Sequence, residues 1–113
     1  MSCIFCQIAE GAVPSTVVFK DDKVVAFRDI HPQAPVHIVI IPVEHFTNLT
    51  DTRGDDLGLI AYIFSIANDL ARSEGIADKG YRIAVNSGKE GGQVVQHLHF
   101  HLLGGRQLSG ELG

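Results

Sequence analysis

Three of the six histidines of this chain occupy alternate positions in the apolar segment from His97 to Leu103, whose sequence is HLHFHLL. Alternation with a period of two is typical of a β-strand, so we expect the three imidazoles on one face and the apolar side chains on the other. Neutral imidazole is a nucleophile, a proton carrier or a metal ligand near neutral pH. The segment therefore predicts a reaction site on one face of a sheet.

One metal ion does not easily take all three imidazoles. Same-face neighbours on a strand lie roughly 6.5–7 Å apart, which separates the backbones of His97 and His101 by about 13 Å. A better start is the Cys3-x-x-Cys6 pair, which supplies half of a tetrahedral zinc site that His45 and one histidine of the segment could complete. The alternatives for the cysteines are an inert pair of small side chains or a redox pair.

If His97 serves a metal, His99 and His101 remain for catalysis, and His37 is a candidate neighbour from another apolar segment. Histidine is mostly neutral at about pH 7.5 because its unperturbed pKa is about 6.5. It can attack phosphorus with less activation than a serine needs. The alternative is that these histidines are ordinary surface or core residues.

The glycine-rich loop Gly88–Gln93 directly precedes the histidine segment. Glycines let backbone N–H groups approach phosphate oxygens closely, so the loop is a candidate phosphate cradle. It is not a P-loop, because Glu90 follows Lys89 and no helix is expected after it. The alternative is an ordinary hairpin turn.

Asp29 ends a predicted strand, where its carboxylate could accept hydrogen bonds from the two hydroxyls of a ribose. Phe27 or Ile30 would then pack against a base. Arg28 and Arg106 are candidate phosphate contacts. For each charged residue the alternative is a solvated turn or surface position.

These candidates must be positioned by about five strands and two helices. The sequence predicts a short helix over Cys3–Glu10 with Ser2 as N-cap, and a longer helix over about Asp55–Ser73. The predicted strands cover Ser15–Phe19, Val24–Asp29, His37–Ile41 (ended by Pro42), Tyr81–Asn86 and the histidine segment. Most links between strands are too short for parallel crossovers, so we expect one α+β domain over residues 1–113 with an antiparallel sheet.

Composition excludes several classes of protein. The chain has 113 residues, of which 45% are hydrophobic and 19% charged, and this argues against disorder. A net charge of −4 without a basic cluster argues against binding to a nucleic-acid backbone. With no apolar run long enough for a bilayer and no signal-peptide pattern, we expect a soluble, cytoplasmic protein without membrane partners.

The sequence resembles the histidine triad (HIT) family, whose motif is His-φ-His-φ-His-φ-φ with φ apolar. Within that family it is similar to the Hint branch of nucleoside phosphoramidases. The similarity extends through nearly the whole chain, in the segments Ile4-Phe5, Phe27–Ile30, Pro32–His37, Ile41-Pro42, Gly80–Arg82, Asn86, Gly91–Gln93 and Leu103–Arg106.

The resemblance implies a homodimer in which two five-stranded sheets join into one of ten strands. It also implies binding of purine nucleoside monophosphates and cleavage of the P–N bond of their phosphoramidates. His99 would attack the α-phosphorus to form a nucleotidyl-histidine, and water would then release AMP or GMP.

The other roles are likewise implied by the resemblance. Phosphate oxygens would be held by His101, by Asn86 and by the backbone of Gly92, Gln93 and Val94, with His37 supporting the histidine cluster. Asp29 would bind the ribose, and Val13, Phe27 and Ile30 would line the base pocket. Structural zinc would be bound by Cys3, Cys6, His45 and His97.

Two features depart from the family pattern. Many Hint-branch proteins have serine at the position of Val94, where the hydroxyl is thought to help the leaving amine, and the tail from Gln107 to Gly113 lacks the aromatic-proline ending of some relatives. Three alternatives therefore stay open. They are a dinucleoside polyphosphate hydrolase or nucleotidyl transferase, a zinc-stabilised nucleotide-binding module without turnover, and a hydrolytic zinc at His97 and His99.

Overall fold

One antiparallel sheet of five strands organises the chain in the computed structural model, which describes residues 3–113. The strands lie in the order β1-β2-β3-β5-β4, and every neighbouring pair is antiparallel. Their bounds are β1 Val17–Lys20, β2 Val24–Arg28, β3 Val36–Pro42, β4 Tyr81–Val85 and β5 Phe100–Gly104. The predicted α+β class is confirmed.

Two α-helices accompany the sheet, α1 over Ile4–Ala9 and α2 over Leu57–Ser73. Short 3₁₀ turns at Leu49–Asp51 and Gly54–Asp56 lead into α2. The predicted N-cap of the first helix, Ser2, lies outside the described residues. Cys3 caps α1, because its Sγ accepts a hydrogen bond from the backbone N–H of Cys6 at 3.1 Å. No helix within residues 3–113 is long and apolar enough to cross a membrane.

Both faces of the central strands are buried. In β2, Val24 and Ala26 join the main core under α2, whereas Val25 and Phe27 join a smaller cluster on the opposite face. Phe5 and Ile8 of α1 pack against this second cluster. The main core lies between α2 and the sheet, and within residues 3–113 the helix that packs on the second face is the short helix α1.

The histidine segment is a strand for only part of its predicted length. β5 begins at Phe100, which pairs with Ile40 of β3 and with Val85 of β4. The preceding backbone pairs elsewhere, because the N–H of Leu98 donates to the carbonyl of Phe46 at 2.7 Å, beyond the end of β3. The predicted alternation is nevertheless kept, since Leu98, Phe100 and Leu102 all lie in the main core.

Two other elements have boundaries that differ slightly from the prediction. β3 includes Pro42 as its last residue, although the sequence predicted that this proline would follow the strand. The long helix begins at Leu57 because Gly54–Asp56 adopts a 3₁₀ turn.

Candidate active site and metal centre

His99 is held with one ring nitrogen occupied and the other available. Its Nδ1 lies 2.7 Å from the carbonyl oxygen of His97. Because a carbonyl can only accept, Nδ1 must carry the proton, and a neutral ring then keeps a lone pair on Nε2. The side chain is buried, at 7% exposure. The fold thus presents His99 in the tautomer that a nucleophile requires.

A chain of hydrogen bonds sets the tautomers of two further histidines. The backbone N–H of Gln33 donates to Nδ1 of His37 at 3.0 Å, so the proton of the neutral His37 ring is on Nε2. That Nε2 lies 2.9 Å from Nδ1 of His101 and donates to it. The proton of His101 is therefore on its own Nε2. His101 can offer this N–H to a ligand oxygen.

The electrostatics of the pair agree with these tautomers. Burial lowers the pKa of His37, and the nearby Asp29 carboxylate opposes this only in part. Burial lowers the pKa of His101 to about 4, and the neighbouring His99 and His37 act in the same direction. Both rings are therefore neutral at pH 7, as the hydrogen-bond chain requires.

Asp29 lies beside this pair. Its Oδ2 is 3.4 Å from Nε2 of His37, and its Oδ1 accepts from the backbone N–H of His31 at 2.8 Å. Asp29 follows β2, and its own N–H donates to the carbonyl of His37. The sequence predicted that Asp29 ends the strand, whereas β2 ends one residue earlier, at Arg28.

The glycine loop reaches the same end of the sheet. Val85 pairs with Phe100, so Asn86 emerges next to His99. The amide of Asn86 donates to the carbonyl of Gly91 at 2.6 Å, which closes the loop on itself. Gly91 has no room for a side chain, because a Cβ there would lie 2.5 Å from the carbonyl oxygen of Ser87.

Gln93 anchors this loop through its buried side chain. Its Oε1 accepts from the N–H of Gly88, and its Nε2 donates to the carbonyls of Thr47 and Val95. The backbone N–H of Gln93 is engaged as well, because it donates to the carbonyl of Gly88 at 3.1 Å, and the N–H of Gly92 donates to the carbonyl of Lys89 at 3.0 Å. Its neighbour Val94 is 87% exposed.

The predicted base-pocket residues differ widely in exposure. Phe27 is buried, Val13 is half-buried and Ile30 is 82% exposed. The exposed apolar side chain of Ile30 is available to a flat ligand.

Sequence reasoning missed Phe5 as a site residue. Its ring makes edge contacts with His99 (centroids 5.1 Å apart), with Phe27 (5.5 Å) and with His97 (6.0 Å). The available signal was its place inside Cys3-x-x-Cys6, which ties the ring to the predicted metal ligands.

Cys3, Cys6, His45 and His97 converge at the start of α1, and their four ligand atoms lie within 4.8 Å of one another. Nδ1 of His97 is 3.2 Å from Sγ of Cys3 and 3.5 Å from Sγ of Cys6. Nδ1 of His45 is 3.3 Å from Sγ of Cys6. A tetrahedral zinc ion with Zn–S of about 2.3 Å and Zn–N of about 2.0–2.1 Å needs S···N separations of roughly 3.5 Å. The four residues fit this ion.

The tautomer of His97 fits as well. Its Nε2 lies 2.9 Å from the carbonyl oxygen of Pro42, so Nε2 carries the proton and the Nδ1 lone pair faces the cysteines. A backbone carbonyl that fixes the ring of a ligating histidine is the usual arrangement in metal sites. Both cysteines are free thiols. Burial and the adjacent Cys3 raise the pKa of Cys6 to about 11, so a metal that binds the thiolate would displace a proton.

The two arginine candidates are engaged elsewhere. Both terminal nitrogens of Arg28 donate to the carboxylate of Glu74, at 2.8 and 3.0 Å. Nε of Arg106 donates to the carbonyl of Gln33 at 3.0 Å. The guanidinium of Arg28 thereby ties β2 to the end of α2, and contact of either arginine with phosphate stays a prediction.

The HIT domain family model matches residues 10–108 of this chain. The chain belongs to the HIT family. Among its relatives, the purine nucleoside phosphoramidase of Escherichia coli K12 is 45% identical over 105 residues, covering 93% of this chain and 88% of the relative. A 14 kDa zinc-binding protein of Zea mays is 46% identical over 108 residues, which are 94% of this chain and 84% of the relative.

A solved structure gives the same assignment. The HIT family hydrolase of Legionella pneumophila superposes with a TM-score of 0.97 and is 49% identical, covering 99% of this HIT protein and 100% of that chain. The resemblance inferred from the triad motif is confirmed at the level of family and fold.

Proposed function

We propose that this HIT protein hydrolyses the P–N bond of purine nucleoside 5′-phosphoramidates, with His99 as the nucleophile. The observation that carries the proposal is the fixed tautomer of His99, with Nδ1–H on the carbonyl of His97 and a lone pair on Nε2. The name of the Escherichia coli relative supports the choice of substrate.

The reaction has two steps. Nε2 of His99 attacks the α-phosphorus, the P–N bond breaks, and its electron pair leaves with the amine, which takes up a proton. Water then attacks the nucleotidyl-histidine, breaks the bond from phosphorus to Nε2 and restores His99. The products are the nucleoside monophosphate and the amine, with one water consumed.

His101 supports the transition state as a neutral donor. Its Nε2–H results from the chain that begins at the backbone of Gln33 and passes through His37. Donors that are already oriented toward developing phosphate charge lower the barrier without a reorganisation cost. The remaining donors in this proposal are the second N–H of the Asn86 amide and the backbone N–H of Val94. The backbone N–H groups of Gly92 and Gln93, which the family resemblance also implies, already donate to the carbonyls of Lys89 and Gly88 and would have to exchange these bonds for a phosphate oxygen.

The nucleoside would lie on the side of Asp29. Its carboxylate would accept from the ribose hydroxyls, while Phe27, Ile30 and Val13 would surround the purine. Ile30 is 82% exposed here, and a base stacked on it would cover that surface.

Zinc has a structural role in this proposal, held by Cys3, Cys6, His45 and His97. It would cross-link α1 to the segment after β3 and to the start of the histidine segment. His97 cannot also act in catalysis, because its Nδ1 faces the thiols and its Nε2 is bonded to Pro42. This geometry disfavours the alternative of a hydrolytic zinc shared by His97 and His99.

The test is hydrolysis of a fluorogenic adenosine phosphoramidate by the wild type, His99→Ala and His31→Ala. His31 is the matched control, because it is an exposed histidine whose backbone N–H, not its ring, contacts Asp29. We expect His99→Ala to lose about a thousandfold or more in kcat and His31→Ala to keep nearly all of it.

Two further measurements separate the alternatives. Mass spectrometry of a slow-substrate reaction should find one nucleotidyl group on His99, and turnover of diadenosine polyphosphates should be slower than that of the phosphoramidate. Faster polyphosphate turnover would reassign the leaving group. AMP binding with no turnover of either substrate would reduce the protein to a nucleotide-binding module.

A further inference from the structure

Helix α1 connects the metal ligands to the histidine that the proposed function makes the nucleophile. Cys3 and Cys6 lie on either side of Phe5 in sequence, and the ring of Phe5 contacts His99 and Phe27. The six-residue helix α1 together with its N-cap therefore contributes two metal ligands and one wall of the proposed nucleotide site.

α1 is weakly fixed by its own contacts. Isolated helices of this length are unstable in water, so packing must hold α1 in place. Only Ala9 of its six residues is buried, and Ile4 is 45% exposed. Phe5 and Ile8 are half-buried against the smaller cluster. A metal bound to both cysteines would add two strong bonds to this lightly packed element.

On the opposite side of the metal site, His97 is held firmly in place. His97 is fully buried, and its ring is bonded to the carbonyl of Pro42. Metal binding therefore changes the freedom of α1 far more than that of His97. The side chain of α1 through which this change reaches the nucleotide site is Phe5.

We propose that metal and nucleotide bind this protein with positive cooperativity, transmitted by Phe5. This inference rests on the proposed function, since it places the nucleotide against Phe27 and His99. When a nucleotide binds to the metal-free protein, part of its binding free energy is used to order α1. In the metal-loaded protein α1 is already ordered, so the nucleotide binds more tightly. Linkage requires the effect to be reciprocal, so the nucleotide must raise metal affinity by the same factor.

The experiment measures AMP affinity by calorimetry on the full chain, reduced, with and without one equivalent of Zn²⁺. Zinc affinity is measured in parallel by competition with a chromophoric chelator, with and without saturating AMP. We expect both affinities to rise by the same factor, about five- to fiftyfold. Circular dichroism establishes whether the metal-free chain is folded.

Two variants assign the coupling to Phe5. Phe5→Leu keeps an apolar side chain but removes the ring that contacts His99, and it should reduce the coupling factor to below twofold. Ile8→Val is the matched control, because Ile8 packs on the same cluster from the same helix and has no aromatic ring to lose. It should keep the wild-type factor.

Each other outcome overturns the inference in a recognisable way. Equal AMP affinity with and without zinc would remove the coupling and leave the proposed function intact. If AMP bound neither with nor without zinc, the inferred coupling and the proposed function would both be excluded. Coupling that persists in Phe5→Leu, as expected if zinc merely folds the whole chain, would exclude Phe5 as the transmitter.

Discussion

Nε2 of His37 lies 2.9 Å from Nδ1 of His101 and donates its proton to it. His37 can donate there only because the backbone of Gln33 occupies its other nitrogen. The backbone amide of Gln33, two hydrogen bonds away, thus determines that the proton of His101 lies on Nε2, where a ligand can accept it.

Removal of His37 should impair catalysis without removing a group that touches phosphorus. His37→Ala leaves Nδ1 of His101 without its donor, so the ring can adopt the tautomer that presents no N–H to the ligand. We expect kcat to fall by about ten- to a hundredfold, the cost of one charge-assisted hydrogen bond. Steady-state kinetics on the phosphoramidate measures this.

Gln33→Ala is the control for that prediction. The donor to His37 is the backbone N–H of residue 33, which alanine retains, while the lost side chain bonds only the exposed carbonyl of His31. A loss of kcat in Gln33→Ala equal to that in His37→Ala would contradict the assigned chain.

Stability should fall as the pH decreases below about 6.5. The pKa values of His37 and His101 are lower in the folded state, and that of His101 falls to about 4 from an ordinary value of 6.5. The unfolded chain therefore binds more protons than the folded chain between these values, so stability is complete above pH 6.5 and is lost toward pH 4. Urea unfolding from pH 8 to pH 4.5 measures the slope, and His101→Gln should make it shallower.

Loss of one metal ligand should destabilise the fold more than it affects chemistry. Cys6→Ser should abolish stoichiometric zinc binding and lower Tm, by roughly 4–8 °C for each kcal/mol lost. At saturating substrate and below the transition, kcat should stay within a few-fold of wild type. Wild type in EDTA is the control, and its Tm should match that of Cys6→Ser. Elemental analysis and calorimetry provide both readouts, and a catalytic collapse in EDTA at low temperature would contradict a structural role.

Gly104 should be intolerant of even one methyl group. A Cβ at this position in β5 would lie 2.6 Å from Cδ1 of Ile76 and 3.1 Å from its Cβ, so the core must shift. We expect Gly104→Ala to cost about 1–3 kcal/mol of unfolding free energy, as overpacked cores do. Gly58→Ala in α2 meets open space and should be neutral or stabilising. Chemical denaturation of the two variants side by side tests the difference.

The family resemblance also predicts a homodimer. Within residues 3–113, β4 lies at one edge of the sheet, and only its inner side pairs with a strand. We expect the solution mass from light scattering to be about twice the chain mass of 12.2 kDa. A mass of one chain at micromolar concentration would show that this edge is protected in another way.

Much of the site could be predicted because its signals are local. The alternation of His97, His99 and His101 with apolar residues specifies which side chains face away from α2, and this pattern survives although β5 begins only at Phe100. The spacing of Cys3 and Cys6 likewise indicated half of a metal site within four residues.

The remainder depends on contacts between distant segments. From the sequence, Arg28 is a candidate phosphate contact, but the fold brings the carboxylate of Glu74 to its guanidinium. The ring contacts of Phe5 also depend on the fold, because His99 and Phe27 come from two other segments, and its place between the two cysteines indicates only that it lies near the metal ligands. β5 begins only at Phe100 because the backbone N–H of Leu98 bonds to the carbonyl of Phe46 instead, and no local propensity specifies that contact.

Leu98, Phe100 and Leu102 share the main core, while the histidines between them face the opposite side. An inserted or deleted residue between 97 and 102 would exchange the two sets, placing imidazoles in the hydrophobic core and leucines at the reaction site. The loop of residues 87–92 has no strand register to lose, although an insertion there would disturb the hydrogen bonds by which Asn86 and Gln93 hold it. A scan of single-residue insertions from residue 87 to residue 102 should therefore change near residue 97, from a partial loss of activity to a loss of folding and catalysis together.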